Sequence, residues 1–141
     1  MAIEIRQITK YDKKLIKTLF ASCNEHCPSP DEKFFNSIDN ILLVAYSNNV
    51  PAGFLYSHIL NSLNETKPKM FLYSIDVFEP FKRKGIGTKL IAQLKKISKA
   101  YHCSEIIILT NSSNKPAMKF YRSVGGQQKN NDDVMFVIKK L

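Results

Sequence analysis

The stretch from Met70 to Leu109 constrains the fold of this chain most. Met70 to Phe78 is an apolar run of strand length. It turns through Glu79-Pro80-Phe81-Lys82-Arg83-Lys84 into Gly85-Ile86-Gly87-Thr88. Ile86, Leu90, Ile91, Leu94 and Ile97 then recur at the spacing of one helical face. Glu105 to Leu109, with three successive isoleucines, reads as another buried strand. Two buried strands joined through an amphipathic helix make a crossover connection.

The flanking segments add hairpins and helices to that unit. Ile3 to Ile8 alternates as a strand, and Thr9 with Asp12 marks a helix start. Leu15, Ile16, Leu19 and Phe20 form that helix's apolar face, which is expected to end between Cys23 and His26. Ser29-Pro30-Asp31-Glu32 predicts a second helix start, with Phe34, Phe35 and Ile38 buried. Ile41 to Tyr46 and Val50 to Ile59 flank the turn Ser47-Asn48-Asn49, which predicts an antiparallel pair. Asn61 to Lys69 reads as a loop. Asn114 to Val124 is a short helix ended by Gly125-Gly126, and Val134 to Ile138 a closing strand. The expectation is one α/β domain over residues 1–141: a mixed sheet of six to seven strands flanked by about four helices.

The 141 residues suit one core, and 44% are apolar. No apolar run approaches the roughly 20 residues that cross a bilayer. The first residues lack a basic region followed by an apolar stretch, so a cytoplasmic protein is expected. Lys and Arg number 21 against 12 Asp and Glu, a net charge of +9. That excess favours an anionic ligand or partner, and equally a solvated lysine surface. Cys23, His26 and Cys27 have no obvious fourth ligand and no second pair, so no metal is expected.

The loop before the long helix carries the chemistry. Two glycines let backbone approach a ligand closely. Amides from Arg83 to Thr88 would converge at a helix N-terminus, and Lys82, Arg83 and Lys84 add full charges. A pyrophosphate suits such a site. The Gly-x4-Gly-Lys-Ser/Thr string is missing, and the third glycine of a dinucleotide fingerprint is replaced by Leu90. A plain helix N-terminus among surface lysines remains the alternative.

Lys82-Arg83-Lys84-Gly85-Ile86-Gly87 resembles motif A of the GNAT N-acetyltransferases, Arg/Gln-x-x-Gly-x-Gly/Ala, with Val77 eight residues upstream of Gly85. Lys82 departs from that pattern: it keeps the charge but not the planar fork. Asn114, Ala117, Phe120, Tyr121 and Gly125 match motif B in register, and Gly126 stands where the family has Phe.

The resemblance implies a sheet splayed between its fourth and fifth strands, with acetyl-CoA in the opening. Ile75, Asp76 and Val77 would meet the pantetheine arm. Lys82, Arg83, Lys84, Gly85, Ile86, Gly87 and Thr88 would hold the pyrophosphate, with Asn114, Ala117 and Phe120 completing the cofactor site. It implies direct attack of an amine on the thioester through a tetrahedral intermediate, with a backbone amide near Val77 facing the oxyanion. Tyr121 matches the general acid, and Asp76 and Glu79 are candidate bases.

Tyr73-Ser74-Ile75-Asp76-Val77 and Asn130-Asn131-Asp132-Asp133-Val134-Met135-Phe136 show a fainter similarity to aminoglycoside 3-N-acetyltransferases, whose Asp falls on Ser74 here. Asp132 and Asp133 read either as acceptors of a cationic substrate or as turn residues. The expected partners are acetyl-CoA and an amine of a small molecule or peptide, with a homodimer possible and no membrane. Two other readings stay open: a GNAT fold that holds acyl-CoA without turnover, and nucleic-acid binding through Lys82 to Lys84.

Overall fold

The computed structural model describes residues 2–25, 27 and 30–141. The chain divides into two compact units, residues 1–109 and 110–141.

The first unit is built on a five-stranded mixed sheet in sequential order. Its strands are β1 (Ile3–Gln7), β2 (Asn40–Ser47), β3 (Val50–Leu60), β4 (Lys69–Val77) and β5 (Ile106–Ile108). β1 to β4 pair antiparallel. The β2–β3 turn has both Asn48 and Asn49 at positive φ, as a two-residue hairpin of matching twist requires. β4 pairs parallel with β5, but only from Met70↔Ile106 to Leu72↔Ile108. From Tyr73 to Val77, β4 has no strand partner on that side among the described residues. The β3–β4 register shifts between Tyr56 and Ser57, which leaves Tyr73 as an extra residue on β4.

Helix α1 (Lys13–Ser22) starts where Asp12 accepts the Leu15 N–H at 3.1 Å. Its Leu19 packs with Leu42, Val44, Phe54 and Phe78 in one buried cluster. Helix α2 (Ile86–Ala100) is the crossover between β4 and β5, and it buries Ile86, Leu90, Ile91, Leu94 and Ile97 as its spacing predicts.

Three expectations need correction. The segment after Asp31 is a five-residue 3₁₀ turn, Glu32–Asn36, with Asp31 as its cap; Ser29, the expected cap, lies outside the described residues. That turn ends before Ile38 can come round to the core, so Ile38 is exposed while Phe34 and Phe35 pack inward. Val134 to Ile138 forms no strand, and all five side chains are exposed. A strand needs a partner edge, and the second unit holds one helix and no strand among the described residues. The sheet therefore has five strands, and the described α-helices are three.

The third helix, α3 (Lys115–Ser123), lies in the second unit. Asn114 accepts the Ala117 N–H at 3.2 Å at its start. At its end Gly126 N–H bonds the Tyr121 carbonyl and Gly125 N–H the Arg122 carbonyl, with Gly125 at φ 99°. This is a Schellman closure, which requires the left-handed residue that glycine supplies. Among the described residues no helix is long and apolar enough to cross a membrane.

Candidate active site

β4 runs into the glycine loop through a 3₁₀ turn, Glu79–Phe81. Arg83 and Gly85 both take left-handed backbone, at φ 64° and 76°. The first hydrogen bond of α2 runs from the Lys89 N–H to the Gly85 carbonyl. Ile86, Gly87 and Thr88 thus keep N–H groups with no intrahelical acceptor, at the positive end of the helix dipole. Lys82, Arg83, Lys84 and Gly85 are exposed, and a Cβ built on Gly85 meets nothing within 4 Å. Ile86 buries its side chain in the core and offers only its amide. An open, cationic turn of unclaimed amides fits a diphosphate by charge and by hydrogen-bonding capacity.

The unpaired half of β4 lies directly upstream. Phe78 N–H bonds the Ala52 carbonyl toward β3. Backbone direction alternates along an antiparallel strand, so Asp76 also turns its backbone groups toward β3. Ile75 and Val77 turn theirs outward, to the side where β5 has stopped. Gly53 stands opposite Val77, and a Cβ there would come within 2.7 Å of the Asp76 carbonyl oxygen. Glycine at position 53 is what lets β3 press this close to the end of β4.

The two candidate bases have different surroundings. Glu79 is exposed and ion-paired with Lys82 at 3.1 Å. Asp76 is half-buried on the sheet face that carries Phe54, its register partner. The Cys23 thiol, just past the end of α1, is pushed up to about 11 by burial and by the nearby charges of Asp76 and Glu25. It stays a neutral thiol, and its sulfur lies 3.4 Å from the Phe20 carbonyl. Burial first, then Tyr73 and Glu25, pushes the Tyr56 phenol up to about 12. Asp76, Glu25 and Cys23 therefore share one neighbourhood beside Tyr56.

An aromatic cluster extends from there that sequence reasoning did not pick out. Tyr56 and Tyr73 stack at 5.1 Å, Phe34 meets Tyr56 edge-on at 5.9 Å, and His58 meets Tyr73 at 5.9 Å. Asn40 donates to the Phe34 carbonyl at 2.8 Å, so its Oδ1 is the atom that accepts from His58 Nδ1, at 2.7 Å. Burial lowers the His58 pKa. The only early signal was apolar-aromatic alternation along Phe54, Tyr56 and His58.

In the second unit Tyr121 sits in the last turn of α3, half-buried, and burial raises its pKa. Phe120 packs at 5.5 Å from its ring, and Ala117 is half-buried on the same helix. The Asn114 side-chain oxygen is engaged as the helix cap. A Cβ on Gly126 would lie 2.7 Å from the Tyr121 carbonyl, which leaves no room for the Phe that motif B has there. Asn130 Oδ1 accepts from the Asp132 and Asp133 amides, so both acids sit in a turn closed on Asn130. Cys23, Cys27 and Cys103 are free thiols. Among the described residues no three His, Cys, Asp or Glu side chains gather as metal ligands, and His26 lies outside that set.

Known proteins share this fold. The chain is 34% identical to an N-alpha-acetyltransferase of Sulfurisphaera tokodaii over 67 residues, which is 47% of this chain and 40% of that protein. The chain thus spans less than half of that relative. Its fold is similar to the aminoglycoside acetyltransferase meta-AAC0020 from an uncultured soil metagenomic sample, solved with trehalose: TM-score 0.83, 24% identity, 97% of each chain. It is similar also to AAC(6')-Iy in complex with the bisubstrate analogue CoA-S-monomethyl-acetylneamine: TM-score 0.80, 22% identity, 100% of each chain. The model of the acetyltransferase (GNAT) family matches residues 12–125, spanning the glycine loop and α3 alike. By that match the chain belongs to the GNAT acetyltransferase family.

Proposed function

We propose that the protein transfers an acetyl group from acetyl-CoA to a primary amine. The observation that carries this reading is the open glycine turn with its unclaimed amides, reached directly from the unpaired end of β4. Gly85 to Thr88 would hold the pyrophosphate through backbone N–H groups, with Lys82, Arg83 and Lys84 supplying charge. The outward backbone groups of Ile75 and the outward Val77 carbonyl would pair with the pantetheine amides. When bound, acetyl-CoA supplies an acetyl group activated as a thioester.

The residues of this chain then divide the work. The Val77 N–H is offered to negative charge that develops on the carbonyl oxygen, and one such donor is worth about 3 kcal/mol. Asp76 takes the proton of the incoming ammonium, directly or through water. Its place on the Phe54 face beside Cys23 supports it over Glu79, whose carboxylate is exposed and paired with Lys82. Tyr121 donates the proton that the departing thiolate needs. Its raised pKa keeps the phenol protonated through neutral pH, as a general acid requires.

The test is release of free thiol from acetyl-CoA over a panel of aminoglycosides, polyamines, amino acids, arylalkylamines and peptides. Turnover with at least one amine, reduced about 100-fold or more in Tyr121→Phe, is expected. CoA binding with no turnover across the whole panel would instead make this an acyl-CoA-holding module.

A further inference from the structure

Between α1, the 3₁₀ turn Glu32–Asn36 and the faces of β2 and β3 lies a cavity of about 200 Å³. Ile16, Phe20, Phe34, Phe35, Phe54 and Tyr56 form most of its wall. Asp31 is the one acid among the described lining residues. Its carboxylate already accepts the Lys33 N–H at 2.8 Å and lies 4.0 Å from the Lys33 ammonium. An apolar cavity of about 150 Å³ suffices to take up a benzene-sized ring. The space therefore fits one ring on a short tether, and it lacks the array of free acids that a polycation needs.

The cavity is tied to the proposed chemistry. Its wall residue Phe54 is the register partner of Asp76, and Tyr56 stacks on Tyr73 at the bulge of β4. Asp76 and Glu25 meet at Cys23 on this side of the sheet, so a cation is attracted to the cavity's edge while its body is accepted by the aromatic interior. We infer that the acceptor is a small arylalkylamine, its ring in the cavity under α1 and its amine directed to Asp76. This assignment rests on the acetyl-transfer reading and narrows it. The aminoglycosides named for the structural neighbours are then not the substrates of this chain.

The wild-type protein decides this in a thiol-release series with ethylamine, butylamine, phenethylamine and neamine. The value of kcat/KM should rise along the first three, by about tenfold or more from ethylamine to phenethylamine, as burial of apolar surface predicts. A flat series, or preference for neamine or for a peptide N-terminus, overturns the assignment. Ile16→Trp fills the cavity and should raise KM for phenethylamine about tenfold, with ethylamine changed less than twofold. If that variant fails to fold, both amines lose activity, and the wild-type series alone decides. If no amine is acetylated, saturation-transfer NMR with phenethylamine separates the two ideas. A bound ring, displaced in Ile16→Trp, keeps the cavity as an arylalkylamine site and removes acetyl transfer; no bound ring removes both.

Discussion

At the residue scale, two groups whose acid–base behaviour burial changes give opposite kinds of prediction. Cys23 has a folded-state pKa of about 11 against an ordinary 9.0. Its contribution to stability is therefore fully present below about pH 9 and is lost as pH rises through about 11. Melting temperatures of wild type and Cys23→Ala, compared at pH 8 and pH 10.5, should show a smaller alkaline drop in the variant. Tyr121 acts through rate instead. Because burial raises its pKa, the alkaline fall of kcat should begin above the range of an ordinary phenol, and Tyr121→Phe should remove that limb along with most of the rate. Equal alkaline limbs in wild type and variant would detach the phenol from proton donation.

At the scale of elements, the two glycines beside the loop should fail differently. Gly85→Ala meets no neighbour, so its cost is conformational, about 1–2 kcal/mol for left-handed backbone. CoA affinity should fall with it as the amides turn away. Gly53→Ala drives a methyl into the Asp76 carbonyl and should cost about 1–3 kcal/mol by overpacking while pushing the end of β4 from β3. Urea unfolding with parallel CoA titration checks both.

Helix starts and turns were legible in the sequence because Asp12, Gly85 and Asn114 act within a few residues of themselves. The loop's cationic glycines were legible for the same reason. The aromatic cluster was not: Phe34, Tyr56 and Tyr73 lie far apart in sequence, and only strand register brings them together. The 3₁₀ turn and the missing last strand were misread because local pattern cannot report how soon a helix stops or whether a partner edge exists.

At the scale of the whole molecule, the prominent surface feature is the apolar run Val134 to Ile138, with Phe136 exposed at 89%. Five such side chains in succession are costly in water and suited to an interface. We expect light scattering to show a dimer or larger species, and Phe136→Glu to shift it toward monomer. An unchanged monomeric mass in both would remove this run from any interface.

The bulge at Tyr73 has a consequence that is a matter of counting. Side chains on a strand alternate between faces, and one surplus residue inverts the parity of all that follow. Before it, Phe71 shares a face with His58; after it, Asp76 shares that face with Phe54, and Ile75 goes opposite, with Leu55. Flatten the bulge while keeping every residue and the pairs move along by one: Tyr73 would meet Tyr56, Ile75 would stand opposite Phe54, and Asp76 would fall opposite Gly53, on the face of Leu55. The position of the proposed base is thus set less by its own identity than by the irregularity three residues before it.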